Sequence, residues 1–262
     1  MITETGLGMA RRGKFRQALI TFTRAIQLDH RYWAAYRFRG IAYTRLRSYD
    51  LAIKDFDSAI RVDPGCVDCL FERGMTKMFA GHLEGALEDL SKCLGLNADF
   101  APAYSTRAGI CTTLARYKQA LEDIDMALKL MPDNAGYLHN RAVILTAMDR
   151  YGEAIENYEQ AIKLDPRSGG TYNNLAWLLG TAKDPAFRDC RKAILYAHKA
   201  LGIGRNGAWM DTLAAAYAEC GDFEKAVSAE KEAYSLSSPP NERFLKRIEV
   251  YKHRMTYADW CI

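Results

Sequence analysis

The sequence predicts an all-α repeat protein: about seven antiparallel helix pairs stacked in a row and closed by one further helix. Three observations predict it. Small residues recur with a fixed period, large ones alternate with them at helical spacing, and no stretch shows the two-residue alternation of a strand. Ala18, Ala52, Ala86, Ala120 and Ala154 follow i, i+34, i+68, i+102 and i+136, and Ala193 and Ala226 continue the series at slightly altered steps. Seven residues after each of them comes Ala25, Ala59, Cys93, Ala127, Ala161, Ala200 or Ala233.

Each period reads as two helices. Tyr36, Gly40 and Tyr43 follow i, i+4, i+7 and share one helical face, and Tyr49, Ala52, Phe56 and Ala59 do the same in the next segment. Gly6, Gly40, Gly74, Ala108 and Ala142 precede the first Ala of their units by twelve residues, while Phe22, Phe56, Leu90, Ile124 and Tyr158 lie between the two small series. Small residues let two helix axes approach, and the large residue fills the gap that remains. Pro64, Pro132 and Pro166 cannot continue a helix and close three units. The spacing divides the chain into units 1–32, 33–66, 67–100, 101–134, 135–168, 169–206 and 207–238, followed by a capping helix and tail over 239–262. One hairpin cannot bury both its faces alone, so neighbours must stack.

The ends and the sixth unit depart from the period. The first helix is short and starts almost at Met1, and the sixth unit carries five extra residues within GTAKDPAFRDCRK (180–192). Ser238-Pro239-Pro240 stops one helix and starts another, with Glu242 in its first turn. In that capping helix Phe244, Ile248, Tyr251 and Met255 make one apolar stripe, with Arg243, Lys246, Arg247, Lys252 and Arg254 elsewhere. The tail Tyr257 to Ile262 contains Trp260 and is expected to fold back on the cap, or else to make an intermolecular contact.

These residues resemble the tetratricopeptide repeat, whose pattern W-x2-L-G-x2-Y, A-x3-F, A and P returns as Tyr36, Gly40, Tyr43, Ala52, Phe56, Ala59 and Pro64. The resemblance covers residues 1–238 and implies a right-handed superhelical solenoid that binds proteins rather than transforms them. The stretch NNLAWLLG with DPAFRD and DTLAAAYAECGDFEKA is similar to the closing units of bacterial members, which implies a bacterial source. The family's Leu before the Gly is replaced by Arg39, Arg73, Arg107 and Arg141, each at one constant spacing before Asp55, Asp89, Asp123 or Asn157. That spacing reads as a bridge between the two helices of a unit, with ligand binding as the alternative.

Composition excludes several functions. The net charge of +4 is too small to argue for nucleic acid, no apolar run is long enough for a membrane span, and the start has no signal-peptide core. Seven Cys, an odd number in a chain this long, point to a reduced, cytoplasmic setting. Cys66-x-x-Cys69 has a metal-like or redox-like spacing but lacks a second ligand pair, so it reads first as structural. The motifs HExxH, GxSxG, GxxxxGK[ST] and GxGxxG are missing, and the expectation is a non-enzyme without cofactor or metal.

In the family, the first helices of the units line a concave groove. By that register the binding residues here are Arg37, Phe38, Ile41 and Arg45, then Phe71, Met75 and Met78, then His139, Asn140, Asn173, Asn174 and Trp177. Asn140 and Asn174, one period apart, would grip the backbone of an extended peptide segment or partner protein. The alternative is that both bond to neighbouring helices, as part of the aromatic row could also pack between them. The family's clamp for chaperone C-terminal tails requires Lys and Asn where Arg37 and Ile41 stand, which argues against that partner. Residues 1–66 hold 12 Lys and Arg against 6 Asp and Glu, whereas 207–238 hold 2 against 6. Head-to-tail self-association could use that contrast. The alternative function is a nucleic-acid-associated adaptor using HRYWAAYRFRG (30–40), where Arg and aromatics interleave.

Overall fold

The computed structural model describes residues 2–237, 239 and 241–260. It divides into two compact units, residues 1–130 and 131–262. In the first unit four hairpins follow one another: α1 (Ile2–Arg11) with α2 (Phe15–Leu28), α3 (Trp33–Arg45) with α4 (Tyr49–Val62), α5 (Val67–Phe79) with α6 (Leu83–Leu96), and α7 (Ala101–Thr113) with α8 (Tyr117–Leu130). The second unit holds α9 (Ala135–Ala147) with α10 (Tyr151–Leu164), α11 (Gly169–Thr181) with α12 (Cys190–Ile203), and α13 (Gly207–Glu219) with α14 (Phe223–Ser235). There α15 (Glu242–Lys252) packs on α14, and a single turn, α16 (Tyr257–Trp260), reaches α13 and α15. Among the described residues there is no strand, and no helix is long and apolar enough to cross a membrane.

The periodic residues form the core. All seven Ala of the first series are 0% exposed, and Phe22, Phe56, Leu90 and Ile124 are equally buried. Side chains are matched in size across each hairpin. A Cβ on Gly6 would lie 2.5 Å from the Phe22 ring, and one on Gly40 would lie 3.0 Å from Phe56, so the aromatic unit requires the glycine. Where the filler is Ile124 or Tyr158, the facing residue is Ala108 or Ala142.

The turn inside each hairpin is as regular as the core. Gly13, Arg47, Gly81, Ala115 and Asp149, each one period from the next, all have φ between 56° and 82°, and Gly221 repeats the conformation at 79°. The sixth hairpin replaces that turn by a loop with a short 3₁₀ turn, Pro185–Phe187. Asp189 then caps α12 by accepting from the Lys192 N–H at 3.0 Å.

Three expectations are corrected here. Four cysteines expected as thiols are paired, Cys66 with Cys69 and Cys190 with Cys220. Spacing i, i+3 at the start of α5 and the return of the sixth loop to the end of α13 each bring Cα atoms to 5.3 Å, within disulfide reach. On the cap, Phe244, Ile248 and Tyr251 are buried, but Met255 lies beyond the end of α15 and is 39% exposed. Arg247, expected outside, is 1% exposed and bonds through Nη1 to Asp211 Oδ1. The expectations on Ser238, Pro240, Cys261 and Ile262 fall outside the described residues.

Candidate functional site

In the first unit the groove candidates sit on α3 and α5, and much of their chemistry is already engaged. Phe38 stacks on Phe22 at 5.8 Å, Phe71 meets Phe100 edge-on at 5.1 Å, and the Arg37 guanidinium pairs with Asp68 at 3.1 Å. Ile41, Met75 and Met78 are half-buried, whereas Arg45 is exposed and Phe79, one residue past Met78, is 52% exposed. Burial raises the Glu72 carboxyl above its ordinary range, with Arg37 and Arg45 opposing that rise. Phe38 and Phe71 each have an aromatic partner, as has Phe79, which stacks on Tyr49 at 6.5 Å, and Arg45 and Phe79 are the exposed members of this row.

The arginines at the family's Leu position are architecture in three units. Arg39 holds Asp55 with two bonds of 2.7 Å, Arg73 holds Asp89 at 2.8 and 2.6 Å, and Arg107 holds Asp123 at 2.8 and 2.6 Å. Each guanidinium also donates to the second helix of the preceding hairpin: to Thr23 at 3.0 Å, Asp57 at 2.6 Å or Ser91 at 3.1 Å. One planar fork thus ties three helices together, which a lysine could not do. The fourth member differs, because the Asn157 amide donates to the Glu153 carbonyl at 2.8 Å.

In the second unit His139, Asn140, Asn173, Asn174 and Trp177 are all half-buried. His139 Nδ1 lies 3.0 Å from the Thr171 hydroxyl and Nε2 3.5 Å from Asn174 Nδ2, and burial lowers the imidazole pKa. Asn174 also bonds the Tyr158 phenol, which burial pushes up to about 12. Asn173 Nδ2 faces Asn174 Oδ1 at 3.5 Å, and Asn140 is engaged within the fold as well. Asn174 thus contacts its neighbours, the alternative given for the ladder. Beside this cluster Trp177 opens on a cavity of about 540 Å³ lined also by Thr146, Ala147, Thr181, Lys183, Arg188 and Tyr257.

Sequence reasoning missed two features of this cavity. Arg188, from the inserted loop, donates from Nε to the Ala182 carbonyl at 2.6 Å and pairs with Glu219 at 3.5 Å. Tyr257, from the tail, sets its ring 4.8 Å from that of Trp177. The apolar character of the tail was the available signal for the second. Nothing in the period signalled the first.

Comparison with known proteins agrees with the geometry. The tetratricopeptide repeat family profiles match residues 6–65 and 135–168. Tetratricopeptide repeat protein 6 of Homo sapiens is 29% identical over 105 residues, 40% of this chain and 20% of that protein. Small glutamine-rich tetratricopeptide repeat-containing protein 2 of Saccharomyces cerevisiae is 33% identical over 87 residues, 33% of this chain and 25% of that one. The chain therefore matches a quarter or less of either relative's length. A tetratricopeptide repeat protein from Parabacteroides merdae has the same fold, with a TM-score of 0.74 at 17% identity over 96% of this chain and 97% of that one. The two profile matches and the shared fold agree that this chain carries tetratricopeptide repeats.

Proposed function

We propose that the protein is a non-enzymatic scaffold that holds a peptide segment or partner protein against the first-helix faces of its hairpins. The observation that carries this reading is the cavity beside Trp177. It is lined by α9, α11 and the sixth loop together with Tyr151 at the start of α10 and the α16 turn, with three aromatic residues and a few polar groups, in the size range of a binding site. Arg45 and Phe79 offer a further contact area in the first unit. The adaptor reading for nucleic acid loses support, because Arg37 and Arg39 are paired with Asp68 and Asp55 and Phe38 is stacked on Phe22. The head-to-tail reading loses the same Arg37 and Arg39 charges. A cytoplasmic setting loses its ground too, since four of the cysteines behind it form disulfides.

Photocrosslinking tests the reading. A benzophenone amino acid placed at Ala147 or Phe79 on the first-helix faces should give adducts with the partner in cells of the source organism. The same probe at exposed Lys129 or Lys163 on second helices should give none. Adducts from the second-helix positions alone overturn the proposal.

A further inference from the structure

The face that should receive a ligand is partly covered by the chain itself. Trp177 holds the position in α11 that Ile41 and Met75 hold in α3 and α5, so it lies on the expected binding face. Against it rests α16, four residues long, which is far too short to persist as an isolated helix. A reciprocal cap closes that turn: the Thr256 N–H and hydroxyl donate to Asp259 Oδ2 at 2.8 and 2.7 Å, and the Asp259 N–H donates back to the Thr256 hydroxyl at 3.2 Å.

The surface under the turn is built to receive it. The Arg247 guanidinium lies 5.2 Å from the Trp177 ring and 4.8 Å from the Tyr257 ring, and the two rings meet edge-on at 4.8 Å, so the cation and both aromatics touch one another in a three-way cluster. Asp211 anchors that arginine from below, so the slot does not depend on a mobile side chain. Ala258 is buried beside the cavity. The Asp259 carboxyl is held below its ordinary range, first by the Thr256 N–H and hydroxyl and also by the positive charge of Arg188. Along the turn Tyr257 meets Trp177 and Arg247, Ala258 is buried, and Asp259 closes the turn on Thr256 within the positive field of Arg188. The cavity continues from Tyr257 and Ala258 to Thr146 and Ala147. The approach to the turn runs through Arg254, a left-handed residue at φ 57°.

We propose that this slot recognises a helical turn carrying an aromatic, a small and an acidic residue in succession, and that Tyr257-Ala258-Asp259 is a built-in copy of the ligand that must be displaced. This rests on the groove reading and names the chemistry of its partner. Tethering gives the tail a high effective concentration, so an external segment meets a competitor on the same chain.

The probe is a labelled synthetic peptide of residues 254–260, Arg-Met-Thr-Tyr-Ala-Asp-Trp, titrated into the full chain. Full-length Tyr257→Ala, which empties the slot, should bind it at least tenfold more tightly than the native chain. Adding Trp177→Ala should abolish that binding, and a peptide with Asn for Asp should bind several-fold more weakly. Should Tyr257→Ala fold poorly, hydrogen exchange on the native chain serves instead: excess peptide should remove protection from Ala258 to Trp260. Equal affinity of native and Tyr257→Ala chains, binding indifferent to Trp177→Ala, or protection unchanged by peptide each overturns the proposal. A native dimer dissolved by the peptide also overturns it, since the tail would then serve a second copy. If the peptide fails while Ala147 still crosslinks to a partner, the groove reading stands and only the ligand assignment falls.

Discussion

The two units bury charge in different ways. In residues 1–130 the buried carboxylates Asp55, Asp89 and Asp123 recur with the period of the repeat, each met by the arginine fork of its own hairpin. In residues 131–262 the same register gives Arg141 and Asn157, and the ties are aperiodic: a disulfide from α12 to the end of α13, and Arg247 of the cap on Asp211. That unit also buries Glu230 completely at the core position occupied elsewhere by Phe22, Phe56, Leu90, Ile124 or Tyr158. A buried carboxylate thus keeps its charge where a cation meets it, periodically through the forks or singly as Arg247 meets Asp211. Glu230, whose oxygens have no partner among the described residues, must lose either its burial or its charge.

The largest effect should come from breaking one fork. Arg107→Met leaves Asp123 buried with its charge unmatched, and removing one partner of such a pair costs about 3–5 kcal/mol. Arg141→Met is the control in the other unit, where the register partner is a neutral amide satisfied by the Glu153 carbonyl, and it should cost about 1 kcal/mol or less. Urea denaturation of both variants measures the contrast. Equal losses would show that the Arg107 fork does not bear the charge of Asp123.

Reduction should come next, and only in the second unit. The Cys190–Cys220 bridge closes a separation of 30 residues, which chain entropy values at about 3.6 kcal/mol, while Cys66–Cys69 closes a separation of three and contributes less than half as much. With reductant, hydrogen exchange should quicken around α12 and α13 and stay unchanged in α3 to α6. Exchange that quickens equally in both units would refute the assignment.

Glu230 gives a smaller effect with a definite sign. Neither carboxylate oxygen has a hydrogen-bond partner among the described residues, and burial raises the pKa from 4.5 to about 8, with Arg243 opposing the rise. Between those values the unfolded chain has released a proton that the folded chain retains, so stability falls as pH rises through the window and levels off above about 8. Glu230→Leu should flatten that fall and add about 1–3 kcal/mol at pH 8. A variant whose melting temperature keeps the native pH slope would place the titration elsewhere.

These contrasts mark how far the sequence could be read. Ala120 in the core and the pairing of Arg107 with Asp123 were legible because periodicity encodes them. The third anchor was legible in principle, since Thr23, Asp57 and Ser91 precede their arginines by the same spacing at which the aspartates follow. Contacts that occur once leave no such trace. The Cys190–Cys220 bridge depends on where the inserted loop returns, and Arg247 lies on a helix whose charge pattern marked it as solvated. Trp177 was legible as a residue of the first-helix face, but its partner there is Tyr257, far along the chain and outside the period.

The smallest effect isolates the backbone from everything else. Ala115 and Gly81 occupy the same turn of adjacent hairpins at φ 56° and 82°. A Cβ added to Gly81 would meet nothing within 4 Å, so side-chain contacts drop out and only the left-handed conformation differs. That conformation costs an L-residue about 1–2 kcal/mol, and glycine gives back part of the gain through the entropy of the unfolded chain. Ala115→Gly should therefore stabilise by about 0.5–1 kcal/mol, and Gly81→Ala should destabilise by a similar amount. Asp149→Gly relieves the same strain but removes a carboxylate that accepts from the Tyr151 hydroxyl at 2.6 Å and Lys183 at 3.2 Å, so its net change should lie near zero. Thermal melts of the three variants at one pH would settle the ordering. If Asp149→Gly gains as much as Ala115→Gly, the carboxylate contributes nothing to the turn, and the second unit tolerates its irregular register without that compensation.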